Sequence, residues 1–280
     1  MSGLRAYGRM IKVSHTIFSM PFALSAVLLA SREAAVTWLD VVLIVLCVLM
    51  ARSSAMGFNR IVDREIDGAN PRTANREVPS GTISVASAWI WTLASAALFH
   101  VFAAMLGSLT LLLAPVALVV LWGYSLSKRW TFLCHLILGL ALALAPIAAW
   151  IAITDGMSVT ALLLGLAVGT WVSGFDIIYS CQDAEFDRKN DLSSLPAALG
   201  VGPALVISAL LHVVTFAALC ALPYWAPMGV FYWVGVVAIG GVLVWEHAIV
   251  RPTDLSRVNK AFFDLNGYIS LVFFAGVALS

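Results

Sequence analysis

Residues Thr37–Phe58 read TWLDVVLIVLCVLMARSSAMGF and run directly into NRIVDREID, Asn59–Asp67. The first segment is almost wholly apolar, and a helix of about 20 such residues crosses the hydrocarbon core of a bilayer. Two longer stretches, 81–127 and 192–245, contain no Asp, Glu, Lys or Arg at all. Each is long enough for a helical hairpin through a membrane. These runs predict a protein built from membrane-spanning helices.

The composition of the whole chain agrees with this fold class. Of its 280 residues, 61% are apolar and 11% are charged, and the mean hydropathy is +0.97. A soluble globule of this composition would aggregate. The net charge of +1 excludes nucleic acid as a partner, because nucleic-acid binding needs a concentrated excess of Lys and Arg. We therefore expect residues 1–280 to form a single all-α integral membrane domain.

The apolar runs predict nine transmembrane helices. The first is expected to be retained, since no small-residue cleavage site stands out before Arg32. Gly165 and Gly169 in the sixth helix predict a close helix contact inside the monomer. The nine predicted spans are Ser14–Ala30, Thr37–Phe58, Val85–Leu106, Leu109–Ser125, Phe132–Ile153, Val159–Cys181, Pro203–Leu222, Met228–Val250 and Val258–Leu279.

Basic residues segregate to one side if the nine helices alternate in direction. Fifteen of the sixteen Lys and Arg residues then share one face, and only Arg32 lies on the other. Cytoplasmic loops are enriched in Lys and Arg, so the N-terminus is expected in the cytoplasm and the C-terminus outside.

The first acidic motif follows the second predicted span. Asn59, Asp63 and Asp67 recur every four residues and therefore share one face of a continuous helix. Stacked carboxylates repel each other unless a cation lies between them, and this oxygen spacing suits Mg²⁺ completed by phosphate oxygens of a substrate. The helix is expected to end soon after Asp67, and the loop that follows carries Arg72 and Arg76.

The second acidic motif, DIIYSCQDAEFDRK, occupies residues 176–189 at the end of the sixth span. Asp176, Asp183 and Asp187 share one helix face, and Lys189 follows them. Either motif alone could be a solvated helix end. Two motifs with cations beside them instead predict a site for a magnesium-bridged diphosphate. Their positions after spans two and six also predict two pseudo-repeated halves.

Two charged residues are predicted to lie within the depth of the membrane. Asp176 has apolar neighbours on both sides, and ionisable groups in that setting are costly and by default functional. Arg52 lies seven residues before Asn59, on the same helix face and about two turns deeper. Its partner is expected to be an anion, either a substrate group or an ion-pair partner within the protein.

Other reactive side chains predict no further site. The cysteines lie apart in apolar stretches and are expected to pack as small hydrophobes; they are Cys47, Cys134, Cys181 and Cys220. The five histidines lack metal-ligand spacing, and a packing role is expected for His15 near the cytoplasmic side.

On these residues, the chain resembles the UbiA-type superfamily of membrane-embedded aromatic prenyltransferases. The resemblance covers most of the sequence. It rests on KVSHTIFSMPFA (12–23), the Asn59/Asp63/Asp67 motif with Pro71–Thr73 and Arg76, Tyr124 with KRWT (128–131), the Asp176/Asp183/Asp187 motif, and NKAF (259–262) with Asn266 and Tyr268.

The resemblance implies nine helices around a central cavity that opens towards the cytoplasmic face. It implies two Mg²⁺ ions, bound to a polyprenyl diphosphate and held by Asp63, Asp67, Asp183 and Asp187. The diphosphate would be contacted by Arg72, Arg76, Lys128, Arg129 and Lys189. An aromatic acceptor would meet the allylic carbon in a cavity lined by Asn59, Asp176, Tyr179 and Arg52.

The implied activity is transfer of a polyprenyl group to an aromatic acid in quinone biosynthesis, in the bacterial inner membrane. The His15–Phe18 opening and the Phe58-Asn59-Arg60 segment resemble the 4-hydroxybenzoate branch of the superfamily, some members of which serve menaquinone synthesis with a dihydroxynaphthoate. A non-aromatic acceptor is a further alternative. An ion-coupled transporter is an alternative from another class, although transport sites usually lie near the membrane midplane rather than at one face.

The charge distribution generates a topology prediction. The Arg72–Pro79 loop should be cytoplasmic, while Gly107 and Asp155 should face outward. Single cysteines introduced by Arg76→Cys or Asp155→Cys, on a background lacking the native cysteines, should be labelled from outside intact cells only at position 155. Labelling at position 76 with none at 155 would invert the topology.

Overall fold

A computed structural model describes residues 2–11 and 19–280, and in this part of the chain regular structure is helical throughout. The helices of the first half are α1 (Ser2–Met10), α2 (Met20–Ala30), α3 (Trp38–Val62), α4 (Arg64–Ala69), α5 (Val85–Leu106), α6 (Ser108–Ser127) and α7 (Cys134–Thr154). Those of the second half are α8 (Val159–Ser180), α9 (Ala184–Lys189), α10 (Leu195–Leu199), α11 (Val201–Ala221), α12 (Val230–Ile249), α13 (Val258–Lys260) and α14 (Asn266–Ala278). The all-α membrane fold is confirmed.

Seven helices of the described part are long and apolar enough to cross a bilayer: α3, α5, α6, α7, α8, α11 and α12. The two outermost predicted spans differ from expectation. Helix α2 has 11 residues, and residues 12–18, with the predicted role of His15, lie outside the described part. The last span is divided, because a π-helical turn at Ala261–Leu265 separates α13 from α14. Nine crossings therefore stay a prediction.

Polar caps in the sequence explain where several spans begin. Thr37 forms a capping box with Asp40: its hydroxyl accepts from the Asp40 N–H at 3.3 Å, and the Asp40 carboxylate accepts from the Thr37 N–H at 2.8 Å. Ser84 and Ser158 cap α5 and α8 in the same way, each at 3.1 Å. These side chains satisfy N–H groups that a helix start leaves without partners.

Small residues allow α7 and α8 to approach closely. Gly169 packs against Gly139 and Ala143 of α7, and Gly165 packs against Ile147. The predicted small-residue contact is thus confirmed. A Cβ added at Gly139 would overlap the Ser173 hydroxyl and the Gly169 carbonyl oxygen. This close packing brings the polar residues near the two facing helix ends together.

The main core surrounds the same helices. Its largest buried side chains come from α2, α7, α8, α12 and α14 and include Phe22, Trp150, Trp171, Tyr232 and Phe273. The four cysteines are free thiols; two are buried and two are partly buried. The prediction that the cysteines pack as small hydrophobes is confirmed for Cys47 and Cys181, whereas Cys134 and Cys220 are only partly buried.

The α7–α8 contact generates a stability prediction. Gly139→Ala should lower the free energy of unfolding by about 1–3 kcal/mol, because the backbone carbonyl of Gly169 cannot yield to the new methyl group without displacing α8. Thermal unfolding in detergent measures the loss. Gly123→Ala is the matched control, because a Cβ there meets nothing within 4 Å; it should change stability by less than about 1 kcal/mol. Equal effects of both substitutions would contradict the close contact.

Candidate active site

The two acidic motifs share a local backbone geometry that differs from the expected continuous helices. Helix α3 ends at Val62 and α4 begins at Arg64, so Asp63 lies at a bend with φ −93° and ψ 6°. In the second motif α8 ends at Ser180, a 3₁₀ turn follows, and Asp183 has φ −99° and ψ 0° before α9. The helices are therefore not continuous, although the Asp63 N–H donates to the Asn59 carbonyl at 3.0 Å and the Asp67 N–H to the Asp63 carbonyl at 2.7 Å, which keeps the four-residue helical spacing of the first motif. Aspartate side chains compete with the helical backbone for hydrogen bonds, and both aspartates have polar partners at the bend.

Asp67 is held by arginines within the first motif. Its two carboxylate oxygens accept from Nη1 of Arg76 at 2.6 and 2.7 Å. Arg60, which is 3% exposed, lies 3.7 Å from the same carboxylate. The Thr73 hydroxyl donates to the Asp67 backbone carbonyl at 2.9 Å. The loop after α4 is thereby folded back over the first motif.

Asp63 is paired with a cation from the segment after α6. Arg129 Nη2 donates to Asp63 Oδ1 at 2.8 Å, and Asn59 Nδ2 donates to Oδ2 at 2.8 Å. Burial raises the pKa of the Asp63 carboxyl, and the positive charges of Lys128 and Arg129 only partly offset this. An additional cation would therefore stabilise the ionised form of Asp63.

Arg72 connects the two motifs. Its Nε donates to Asp183 Oδ1 at 3.1 Å, a second nitrogen contacts Oδ2 still more closely, and Nη1 donates to the Tyr179 hydroxyl at 2.8 Å. Asn70 Nδ2 also donates to Asp183, at 3.2 Å. Burial disfavours the charged guanidinium, but its contacts with Asp183 and Tyr179 outweigh that cost and raise the pKa of Arg72. The loop of one motif thus closes on the helix end of the other.

The remaining motif residues divide into a buried and an exposed set. Asp187 is 5% exposed, and the charge of Lys128 acts on both Asp63 and Asp187. Lys189 instead lies at the surface and pairs with Glu185 at 2.7 Å, with both side chains more than 70% exposed. Lys189 is therefore not brought together with the other predicted phosphate contacts in this structure.

Next to the motifs lies a cavity of about 500 Å³. All four residues predicted to line it do so, namely Arg52, Asn59, Asp176 and Tyr179. Other polar or aromatic residues that line the cavity include Arg60, Arg76, Tyr124, Phe175 and Phe262. Most of the remaining lining is apolar and comes from α3, α6 and α7. The cavity thus has a charged end beside the motifs and a long apolar wall.

Two polar residues at the cavity were not singled out from the sequence. Arg60 is a cavity residue that contacts Asp67. His135 on α7 lies 2.7 Å, Nδ1 to Oδ2, from Asp176 on α8. No local motif marks His135, because its partner is 41 residues away on another helix. Only the glycine contacts between α7 and α8, which fix how the two helices align, could have indicated that His135 and Asp176 meet.

The donor set at the motifs fits Mg²⁺ shared with a substrate. Among the residues described, no three His, Cys, Asp or Glu side chains are grouped so that they could hold a metal ion by themselves. Mg²⁺ usually takes only one or two carboxylates and completes its shell with water and phosphate oxygens. The carboxylates of Asp63, Asp67, Asp183 and Asp187 supply ligands of that kind, and the neighbouring arginines suit phosphate oxygens.

Comparison with known proteins points to one family. Residues 19–272 match the model of the UbiA prenyltransferase family. A relative named 4-hydroxybenzoate octaprenyltransferase, from Cronobacter sakazakii, is 28% identical over 280 residues, which cover 99% of this chain and 96% of that protein.

Solved structures agree with this match. The apo structure of a UbiA homologue from Aeropyrum pernix K1 has a TM-score of 0.86 and 34% identity, covering 95% of this chain and 98% of that one. A UbiA homologue from Archaeoglobus fulgidus, bound to DMAPP and Mg²⁺, has a TM-score of 0.71 and 21% identity over 95% of this chain and 98% of its own. At 21% identity, the similarity to the A. fulgidus structure shows a shared fold alone.

Proposed function

Because this chain belongs to the UbiA prenyltransferase family, we propose that it transfers a polyprenyl group from a polyprenyl diphosphate to an aromatic acid, with 4-hydroxybenzoate as the first candidate. One observation carries the proposal: a mainly apolar cavity joins a cluster of carboxylates and arginines at one end and contains Arg52 and Asp176 in its wall. A diphosphate suits the charged cluster, an isoprenoid suits the apolar wall, and a small polar ring suits the deep charges.

The donor end is proposed to bind Mg²⁺ and the diphosphate together. Asp63, Asp67, Asp183 and Asp187 would hold the metal, which when bound supplies positive charge to the leaving group. The A. fulgidus homologue is bound to DMAPP and Mg²⁺, which supports binding of a prenyl diphosphate together with the metal. In the structure Asp63, Asp67 and Asp183 pair with arginines. On binding, those arginines would turn to the phosphate oxygens and release carboxylate oxygens for the metal.

The arginines of that end have the geometry for this exchange. Arg72, Arg76 and Arg129 each pair with one motif carboxylate and are 34%, 23% and 27% exposed. They are thus accessible to a substrate and already positioned around the carboxylates. Lys128 adds a further charge to the same cluster. Lys189 would join only by leaving Glu185.

The acceptor is proposed to lie between Arg52 and Asp176. A guanidinium pairs well with a carboxylate in a site that excludes water. Asn59 and Tyr179 also line the cavity and provide neutral hydrogen-bonding groups. Stabilisation of the departing diphosphate leaves an allylic cation, which an electron-rich phenolic ring attacks through carbon. The apolar wall keeps out water, which would otherwise capture that cation.

A dihydroxynaphthoate is the second candidate acceptor, because it carries the same carboxylate and phenolic groups on a larger ring. The name of the C. sakazakii relative favours 4-hydroxybenzoate. An ion-coupled transporter has less support, since the family match covers residues 19–272 and is to prenyltransferases.

We propose nine crossings, with the motif loops in the cytoplasm of a bacterial cell. The segment from α13 through the π-helical turn to α14 is helical over 21 residues, long enough to cross a bilayer. Fifteen of sixteen basic residues support the orientation. A bacterial inner membrane agrees with the source of the relative.

Metal dependence is the first test. Purified protein with geranyl diphosphate and radiolabelled 4-hydroxybenzoate should form a prenylated product only with Mg²⁺, and excess chelator should abolish it reversibly. Asp183→Asn should reduce activity by at least about 100-fold, because it removes charge that holds the metal. The matched control is Glu185→Gln, two positions away and 78% exposed, which should keep wild-type activity. Full activity in excess chelator would contradict the proposed chemistry.

Arg52 tests the acceptor site. Arg52→Ala should lower kcat/KM for 4-hydroxybenzoate by about 150- to 5,000-fold, since losing one partner of a buried charge pair costs about 3–5 kcal/mol. Arg52→Lys should recover only part of this, because a point charge does not reproduce a planar fork. The KM for the prenyl diphosphate should hardly change in either variant.

The same experiment can also contradict the assignment of Arg52 to the acceptor site. If Arg52→Ala retains the acceptor KM and loses only affinity for the diphosphate, Arg52 belongs to the donor site. The argument for a carboxylated acceptor then fails. Arg64→Ala, which removes a half-exposed arginine paired with exposed Glu65, controls for general loss of positive charge.

A further inference from the structure

Asp176 is the only carboxylate among the described residues that line the cavity. The carboxylates proposed to hold the metal lie beside the cavity and do not line it. Transfer of a prenyl group to a ring carbon releases a proton, which needs an acceptor beside the ring. Asp176 is therefore the group best suited to receive that proton.

A histidine behind the cavity wall holds this carboxylate. His135 Nδ1 lies 2.7 Å from Asp176 Oδ2. The histidine is 4% exposed and lies outside the lining set, whereas the Asp176 side chain is 23% exposed and within it. One oxygen of Asp176 is thus fixed by the imidazole, which leaves Oδ1 for the substrate.

The backbone determines which nitrogen of His135 carries the proton. The Leu195 N–H, at the start of α10, donates to His135 Nε2 at 3.3 Å. A backbone N–H can only donate, so Nε2 must accept, and the proton of the neutral ring lies on Nδ1. Ser180 Oγ is 3.5 Å from Nε2, but its hydroxyl donates to the Ile177 carbonyl at 2.8 Å. His135 is therefore oriented to donate to Asp176.

We propose that Asp176 is the base that takes the ring proton of the acceptor and that His135 is its positioning residue. The inference rests on the proposed function and adds His135, which the sequence did not single out. The allylic C–O bond breaks with its electron pair on the diphosphate, and a ring electron pair forms the new C–C bond. The proton of the attacked carbon then passes to Asp176 Oδ1, and its C–H electron pair restores the aromatic ring.

A hydrogen bond from His135 would help Asp176 act as a base in two ways. A carboxylate in an apolar wall is costly unless it is hydrogen-bonded, and a donor to its charged form keeps it ionised and able to accept a proton. A fixed donor also holds Oδ1 at one place relative to the ring, which a rotating side chain would not.

Three variants of full-length protein in detergent test the proposal, with geranyl diphosphate, Mg²⁺ and 4-hydroxybenzoate as reactants. His135→Leu removes the donor. His135→Asn keeps an amide nitrogen at the place of Nδ1, and His135→Gln moves it to the place of Nε2. The measurements are kcat, the KM of each substrate, and the kinetic isotope effect with acceptor deuterated beside the hydroxyl. Ser180→Ala is the matched control, because its hydroxyl donates elsewhere.

We expect His135→Leu to lower kcat by about 10- to 100-fold, the range known for partners that orient a functional group, with an unchanged KM for the diphosphate. Its isotope effect should exceed that of wild type, since proton removal becomes slower. His135→Asn should recover most of kcat and His135→Gln much less. If His135→Leu does not fold, the Asn and Gln variants decide between the outcomes.

Three results would overturn the proposal. They are wild-type kcat in His135→Leu, a loss confined to the KM of the diphosphate, or equal activity of the Asn and Gln variants. Each of these requires an active wild-type enzyme. If wild-type protein prenylates no aromatic acid, the proposed function itself fails, so the two failures are distinguishable.

Discussion

The site depends on one constraint: the carboxylates at the C-terminal ends of two membrane-spanning helices, α3 and α8, must be neutralised. Carboxylates beside an apolar cavity are costly unless each has a cation or a hydrogen-bond donor. The chain meets this requirement with arginines from loops: Arg129 for Asp63, Arg76 for Asp67 and a contact from one motif to the other for Asp183. Because these partners come from different segments, the pairs also fix the loops. The same groups that stabilise the structure without substrate are those that would bind metal and diphosphate with it.

The likeness of the two motifs follows from the same constraint. In each, an aspartate at a bend precedes a six-residue helix, α4 or α9; Asp63 directly follows the long helix α3, and Asp183 ends the 3₁₀ turn that follows α8. At such a bend the carboxylate is released from the helix face and can reach a cation on another segment. Asp63 and Asp183 have nearly identical backbone angles although 120 residues separate them. This local symmetry is what two pseudo-repeated halves would produce, and it would allow carboxylates of both motifs to hold metal ions on one diphosphate from both sides.

Sequence periodicity predicted the features that depend on a single helix. Arg52 and Asn59, seven residues apart, do line the same cavity, because helical spacing is set locally. The bends at the aspartates were missed, since they depend on tertiary partners such as Arg129 that no spacing rule identifies. His135 was missed for the same reason: it acts through a residue on the next helix. The divided last span reflects a π-helical turn, which hydropathy does not register. Features set within a single helix could thus be predicted from the sequence, whereas contacts between segments could not.

The polarity of the cavity distinguishes a transferase from a transporter on physical grounds. A coupling-ion site in a transporter needs several oxygen ligands around one point near the midplane, usually at a broken helix. Here the described cavity lining contains one carboxylate, Asp176, and its Oδ2 is engaged by His135. A single oriented carboxylate opposite a guanidinium suits the exchange of a proton with an acidic ring. The carboxylates proposed to hold the metal instead lie next to the arginines proposed to bind phosphate. Because the motif end and Asp176 adjoin one cavity, the arrangement suits a reaction in which a charged group leaves beside the metal site while the neighbouring aromatic ring loses a proton.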